Sequence, residues 1–194
     1  MEQENIASRI IDLVDEMRHN SQDMRMWKNI PLAQECMQLL RKLDDSDETP
    51  MGKALACNAI CEQLPEYDVP RLVLEILCLE RQLVEQATDE EGLTLDEVDA
   101  EIQRLSDYID TDRVSPETFM KRHHRHLNFD PVERTQLWED VYYEAEQECD
   151  RRLGDTPRGM GFCFAHWSTF RQVLAERGIR WRSPSEMNPR VLFD

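Results

Sequence analysis

Five boundaries in this chain carry the same helix-start signal, a side chain suited to capping that stands one or two positions before a proline. They are Asn29-Ile30-Pro31, Thr49-Pro50, Asp68-Val69-Pro70, Ser115-Pro116 and Asp130-Pro131. Proline fits the first turn of a helix because the N–H groups there have no helical acceptor, and a preceding Ser, Thr, Asp or Asn accepts from one of them. No segment shows the apolar–polar alternation that is typical of a strand. The sequence therefore predicts an all-α chain.

Between these signals, apolar residues recur at helical spacing and predict about seven or eight helices in a compact, array-like bundle with an irregular aromatic C-terminal segment. The expected helices cover 3–19, 30–44, 50–63, 69–87, 94–110, 115–127, 131–153 and 163–177, with a short turn near 184–187. Thr94 with Glu97, and Asp130 with Glu133, have capping-box spacing. These pairs reinforce the predicted starts of two helices.

The helix predicted from Val69 is apolar almost all round, which indicates a central, buried element. Its Glu75 lies four residues after Arg71, so an ion pair along the helix is expected to satisfy this carboxylate. The alternative is a buried functional carboxylate at the same position.

Charge divides the sequence into two parts that we expect to form one domain. The chain carries −17 overall, with −19 on residues 1–153 and +2 on residues 154–194. Residues 1–153 are expected to form an acidic helical body. Residues 154–194 combine Gly, Arg and aromatic side chains, and we expect this C-terminal segment to pack on the body and to carry the functional surface.

The strong negative charge and the absence of two sequence patterns narrow the classes of function. A net charge of −17 opposes binding to nucleic-acid phosphates. The N-terminus lacks the basic start and apolar run of a secretory signal, and no apolar stretch reaches the roughly 20 residues that span a bilayer. We expect a soluble, cytoplasmic protein that binds neither nucleic acid nor membrane, whose cysteines are reduced and mostly buried. Its oligomeric state stays open.

The first candidate site is a glycine-punctuated turn before the last long helix. Gly159 and Gly161 let backbone N–H groups converge on an anion at a helix N-terminus, and Arg158 adds a forked donor. Arg171 and Arg182 are expected to fold back toward the same ligand. The alternative is a turn whose glycines only serve left-handed conformations and close packing.

The second candidate is a thiol–imidazole pair formed by Cys163 and His166, which are three residues apart and so share a helix face. A cysteine in a first helical turn has a stabilised thiolate, and a neighbouring histidine is the start of a nucleophile–base pair. The alternative places Cys163 in the core and His166 at its edge.

The third candidate is the basic run at residues 121–126, in which His123 and His126 have the spacing of a helical metal pair. No metal or other cofactor is expected, although a divalent metal is possible at these two histidines. The alternative is that this run forms a solvent-exposed basic face of the helix and binds no metal.

The fourth candidate is the tail, which is too apolar for a loose end. Trp181, Leu192 and Phe193 have the character of anchors that either close the protein's own core or dock into a partner.

These observations favour a non-enzymatic regulatory or adaptor module that binds a protein or a small anionic ligand near Arg158–His166. The alternative is an enzyme, either a metal-dependent hydrolase at His123 and His126 or a thiol enzyme at Cys163. A third hypothesis is an acidic mimic of nucleic acid. A cleft that joins Cys163, His166 and an imported carboxylate favours the enzyme, whereas an exposed apolar patch over Trp181 or Phe193 favours the adaptor.

Overall fold

The computed structural model describes residues 2–46, 48–87 and 92–193, with side chains from Ile6 onward. Within those ranges it contains nine α-helices and no strand, which confirms the predicted all-α, multi-helix class. The helices are α1 (Glu2–Gln22), α2 (Asn29–Leu40), α3 (Pro50–Cys61), α4 (Pro70–Gln86), α5 (Leu95–Ile109), α6 (Pro116–Arg122), α7 (Gln136–Leu153), α8 (Phe162–Glu176) and α9 (Pro184–Met187). Short 3₁₀ turns cover Met26–Lys28 and Pro131–Arg134.

The chain divides into two compact units, Met1–Ser106 and Asp107–Asp194. The boundary between the two units lies within α5. The C-terminal segment therefore belongs to the second unit, where α8 packs on α7.

Side chains cap the helices at several of the predicted positions. The Thr49 hydroxyl accepts from the Gly52 N–H at 3.1 Å at the start of α3, and Ser115 accepts from the Thr118 N–H at 3.2 Å at the start of α6. The box of Thr94 and Glu97 is also present, with the Thr94 N–H donating to Glu97 Oε2 at 3.0 Å. Each cap satisfies a backbone donor that has no acceptor within its helix.

Asn29 does not cap α2 as predicted. Instead it is buried in the first turn of α2, where its side-chain amide makes tertiary hydrogen bonds. Its Nδ2 donates to the Met17 carbonyl at 3.0 Å and to the Gln63 carbonyl at 2.8 Å. Asn20 donates to the Asn29 side-chain oxygen at 3.0 Å. These bonds tie α2 to α1 and to the chain after α3, so the amide is used for tertiary contact instead of capping.

The buried carboxylate of α4 is Glu80 rather than Glu75. Glu75 is exposed and accepts from Arg41 Nη2 at 2.6 Å, whereas Glu80 is only 2% exposed. No described residue donates to Glu80 Oε2. Burial, assisted by the negative charge of Glu101, raises the pKa of Glu80 to about 7.

The helix predicted at 115–127 is shorter, because α6 ends at Arg122. His124 adopts a left-handed conformation with φ of 51°, and the Arg125 N–H donates to the Met120 carbonyl at 2.9 Å. This pairing is typical of a Schellman ending, which stops a helix and satisfies its last carbonyls. The histidines after position 122 therefore do not share a helical face.

The helix predicted at 131–153 begins five residues later than expected. Asp130 does cap, since it accepts from the Val132 N–H at 3.1 Å, but it caps only the short 3₁₀ turn. Thr135 is extended and accepts from the Trp138 N–H at 3.2 Å, which starts α7 at Gln136.

Candidate functional site

Helix α8 has one buried face and one exposed face. Phe170, Val173 and Leu174 lie in the core of the second unit. Phe164 and Arg171 lie on the opposite side and are exposed.

Trp181, one of the three predicted tail anchors, is buried in the core of the second unit. Its ring stands edge-on to Phe170 at a centroid distance of 5.4 Å, and it lies 5.9 Å from the ring of Trp138. Trp181 Nε1 donates to Glu133 Oε1 at 2.6 Å. Burial raises the pKa of Glu133 to about 7, although the indole hydrogen bond opposes that rise. Through these contacts Trp181 holds the chain after α8 against the rest of the second unit.

The exposed face of α8 carries an aromatic cluster that includes Phe193, one of the predicted tail anchors. Trp167 contacts Phe164 with ring centroids 5.5 Å apart and Phe193 with ring centroids 5.2 Å apart, both edge-on. Phe164 is 48% exposed, and Trp167 and Phe193 are partly exposed. Leu192, the third predicted anchor, is 97% exposed. The tail thus leaves apolar side chains at the surface beside α8.

Two surface pockets follow this face of α8, and Arg171 lines both. One has a volume of about 150 Å³ and is walled by Phe164, Trp167 and Ser183 among others. The second has a volume of about 330 Å³ and lies over Ile179. We call the two pockets together the α8 groove. The two pockets share Arg171 as a lining residue and both lie in the second unit.

The three arginines of the predicted anion site are held by three different carboxylates. Arg158 forms an ion pair with Asp150, and its guanidinium lies 4.8 Å from the centre of the Phe162 ring. Arg171 pairs with Glu186 at 2.6 Å, and Arg182 pairs with Asp130 at 3.0 Å. Each guanidinium is therefore already engaged by a protein carboxylate.

The glycine turn itself also uses its own donors. Gly161 is left-handed, with φ of 80°. The Phe162 N–H donates to the Gly159 carbonyl at 3.0 Å, and the Phe164 N–H donates to the Gly161 carbonyl at 3.2 Å. Anion binding at this turn stays a prediction, with two of the first-turn donors directed at backbone carbonyls.

A cluster of acid, thiol and imidazole lies between α7 and α8. His166 Nε2 lies 2.9 Å from Glu146 Oε2, and Cys149 Sγ lies 3.8 Å from the His166 carbonyl oxygen. Burial disfavours a charged His166 ring, but hydrogen bonding to Cys149 and Glu146 outweighs burial and raises the pKa of His166 to about 10. His166 is therefore a protonated partner of Glu146 at neutral pH.

Two members of this cluster, Glu146 and Cys149, were not among the predicted site residues. His166 was expected to act with Cys163, which lies half-buried on α8. Glu146 is buried and lies four residues after Tyr142 and three before Cys149, both of which are also buried. The i, i+3 and i+4 spacing to two inward residues is a signal for an inward glutamate.

The two histidines predicted as a metal pair have different surroundings. His123 Nε2 lies 2.9 Å from Asp107 Oδ2, which also accepts from Arg122 at 2.6 Å. His126 is exposed in the irregular chain that follows α6. Because α6 has already ended, the helical spacing on which that pairing depended does not apply.

No helix in the described ranges is long and apolar enough to cross a membrane. Comparison of the chain with protein-family profiles, curated protein sequences and solved structures gave no significant match.

Proposed function

We propose that this protein is a non-enzymatic interaction module whose α8 groove binds a partner protein. The observation that supports it is the aromatic cluster of Phe164, Trp167 and Phe193, which keeps apolar area at the surface. Exposed apolar patches on a folded domain typically mark sites of association. Tryptophan at such a patch is often among the residues that dominate binding energy.

The chemistry of the groove favours a partner segment that carries both apolar and acidic side chains. Arg171 and Arg180 line the pockets, and Arg171 is already paired with Glu186. Arg190, in the tail beside Leu192, is exposed as well. The net charge of −17 attracts basic partners at long range, so the preference for acidic side chains is local and rests on Arg180 and Arg190 at short range.

Helix geometry suits an elongated occupant. Phe164, Trp167, Arg171 and Ala175 recur at intervals of three and four, so they form one stripe along α8. A helix or an extended segment lying along that stripe brings successive apolar residues into the two pockets. We therefore commit to a short acidic, amphipathic segment of another protein as the ligand.

A random peptide-display selection against the immobilised full-length protein tests this proposal. Enriched peptides are expected to combine Leu, Phe or Trp with Asp or Glu, and to lose binding to the Trp167→Ala variant. The Leu137→Ala variant is the matched control, because Leu137 is 54% exposed on α7 of the same unit. Enrichment of basic peptides, or equal loss in both variants, would overturn the proposal.

A second copy of this chain is the competing occupant. Light scattering after size-exclusion chromatography distinguishes the two, since the proposal expects the same mass for wild type and Trp167→Ala. A dimer that Trp167→Ala converts to a monomer would assign the groove to self-association and contradict the proposed ligand.

A further inference from the structure

Three side chains with donor atoms suited to zinc meet between α7 and α8. Glu146 and Cys149 lie one helical turn apart on α7, and His166 reaches them from α8. One donor atom from each lies within 4.8 Å of the other two. In the part of the chain that the structure describes, no other group of three or more such donors is this close.

We propose that Glu146, Cys149 and His166 bind one zinc ion, a role independent of the α8 groove. The zinc ion displaces the ring proton that His166 shares with Glu146 and the proton of the Cys149 thiol, and both protons are released to solvent. Tetrahedral zinc, with bonds of about 2.0–2.3 Å, holds neighbouring donors about 3.3–3.8 Å apart. The Glu146 and His166 donors are now 2.9 Å apart. Adjustments of about 1 Å at the side-chain ends bring the set to that geometry.

The donor types select among metals. Thiolate and imidazole favour zinc over calcium or magnesium, both of which require oxygen donors. Three protein donors leave one tetrahedral position for a water or an external ligand. Glu146 and Cys149 are buried whereas the His166 side chain is 23% exposed, so metal enters from the His166 side.

The surroundings hold the histidine in place before any metal arrives. The His166 ring stacks on Phe170 with centroids 5.6 Å apart and an interplanar angle of 14°. Phe162 flanks the same ring at 6.1 Å. An apolar shell of this kind fixes ligand orientation and limits competition from water. Since Glu146 already orients the imidazole, the site is organised without the ion.

Cobalt substitution provides a direct test on the full-length, chelator-treated protein. One equivalent of Co²⁺ is expected to produce a thiolate-to-cobalt charge-transfer absorption and to be displaced by Zn²⁺. Cys149→Ser is expected to abolish the band, whereas Cys163→Ser is expected to retain it. No band at millimolar Co²⁺, or a band that persists in Cys149→Ser, would overturn the site.

Thermal unfolding covers the case in which a cysteine variant folds poorly. Zn²⁺ is expected to raise the Tm of wild type, because a ligand of the folded state stabilises that state. The near-isosteric Glu146→Gln variant is expected to fold and to weaken Zn²⁺ binding at least tenfold, with a correspondingly smaller shift in Tm. His123→Ala is the matched control and should respond as wild type does. An equal shift in Glu146→Gln and wild type would contradict the proposal.

Discussion

At the scale of single residues, the buried ionisable groups of each unit determine where stability is most sensitive. Glu80 in the first unit and Arg134 in the second are almost fully buried. A buried charge needs compensating hydrogen bonds, and without them the group tends toward its neutral form. The two residues differ in how the cost of burying a charge is avoided. The Glu80 carboxyl favours its protonated form, whereas the Arg134 guanidinium is surrounded by carbonyl acceptors.

Glu80 should make the first unit less stable as pH rises. Below the ordinary glutamate pKa of 4.5 the carboxyl is protonated in both folded and unfolded states. Between 4.5 and about 7 the unfolded chain loses that proton while the folded chain keeps it, so the free energy of unfolding falls. Glu80→Gln has no such proton, and at pH 8 it should be more stable than wild type by about 2–3 kcal/mol.

Urea unfolding at pH 4 and pH 8 measures this difference. Glu75→Gln is the control, since Glu75 is exposed and paired with Arg41, and it should show little change at either pH. A Glu80→Gln effect of equal size at both pH values would contradict a raised pKa at this position.

Arg134 caps the end of α5 within the second unit. Its guanidinium donates to the carbonyl oxygens of Tyr108, Asp107 at 3.1 Å, Asp110 at 3.3 Å and Val114 at 2.8 Å. Carbonyls at a helix end have no helical donor, so the arginine satisfies several of them from one side chain.

Arg134→Met should therefore destabilise the protein by at least about 3 kcal/mol, because it leaves buried carbonyls without a donor. Guanidinium chloride unfolding is the measurement. Arg113→Met serves as the control, since the Arg113 side chain is 87% exposed, and should change stability by less than about 0.5 kcal/mol. Similar losses in both variants would contradict the capping role.

At the scale of helices, start signals in the sequence were reliable where the capping hydroxyl accepts from an N–H group in the first turn of its own helix. Thr49 and Ser115 cap as expected, because their hydroxyls reach the local N–H groups. Asn29 follows the same pattern in sequence, yet the carbonyls of Met17 and Gln63 take its amide donors. Tertiary contacts of this kind depend on the packed helices and leave no local signal.

At the candidate site, too, the sequence indicated the local structure but not the tertiary contacts. The sequence placed His166 on the last long helix but paired it with a neighbour in the same turn. Its actual partners lie on α7, 17 and 20 residues earlier. Which α7 residues meet it depends on the register of the two helices, which the turn between them sets. The spacing of Glu146 to Tyr142 and Cys149 is a local signal in the sequence, but its pairing with His166 is not.

That turn yields a prediction at the scale of helices. Gly161 has φ of 80°, a conformation that costs an L-residue about 1 kcal/mol. Gly159 lies two residues away and is outside the left-handed region, and open space surrounds the Cβ position of both. Gly161→Ala should lower the free energy of unfolding by about 1 kcal/mol while Gly159→Ala leaves it nearly unchanged. Equal effects in denaturant unfolding would contradict the conformational explanation.

At the scale of the whole molecule, charge is distributed unevenly along the chain. Residues 1–106 carry −14 and residues 107–194 carry −3, although the second unit includes the arginine-rich C-terminal segment. The acidic majority and the basic end are a division of the sequence by charge. The two compact units are a division by packing, and their boundary lies within α5.

The net charge predicts how stability responds to salt. Raising NaCl from about 10 to 150 mM shortens the screening length from about 30 to 8 Å. Repulsion among the excess carboxylates should weaken, so the Tm should rise. Exposed ion pairs weaken too, but each contributes little. Scanning calorimetry in NaCl and in KCl measures the Tm, and the two salts are expected to raise it equally. A lower Tm at 150 mM would show that the ion pairs dominate.

Titration calorimetry with a display-selected peptide measures whether the α8 groove binds an acidic, apolar segment of a partner. Trp167→Ala should weaken the Kd about 30-fold or more, as expected for a tryptophan that contributes at least about 2 kcal/mol. Arg180→Glu should also weaken binding, and Leu137→Ala should leave the Kd within about twofold of wild type. Unchanged affinity in Trp167→Ala, with its fold intact by circular dichroism, would contradict the account.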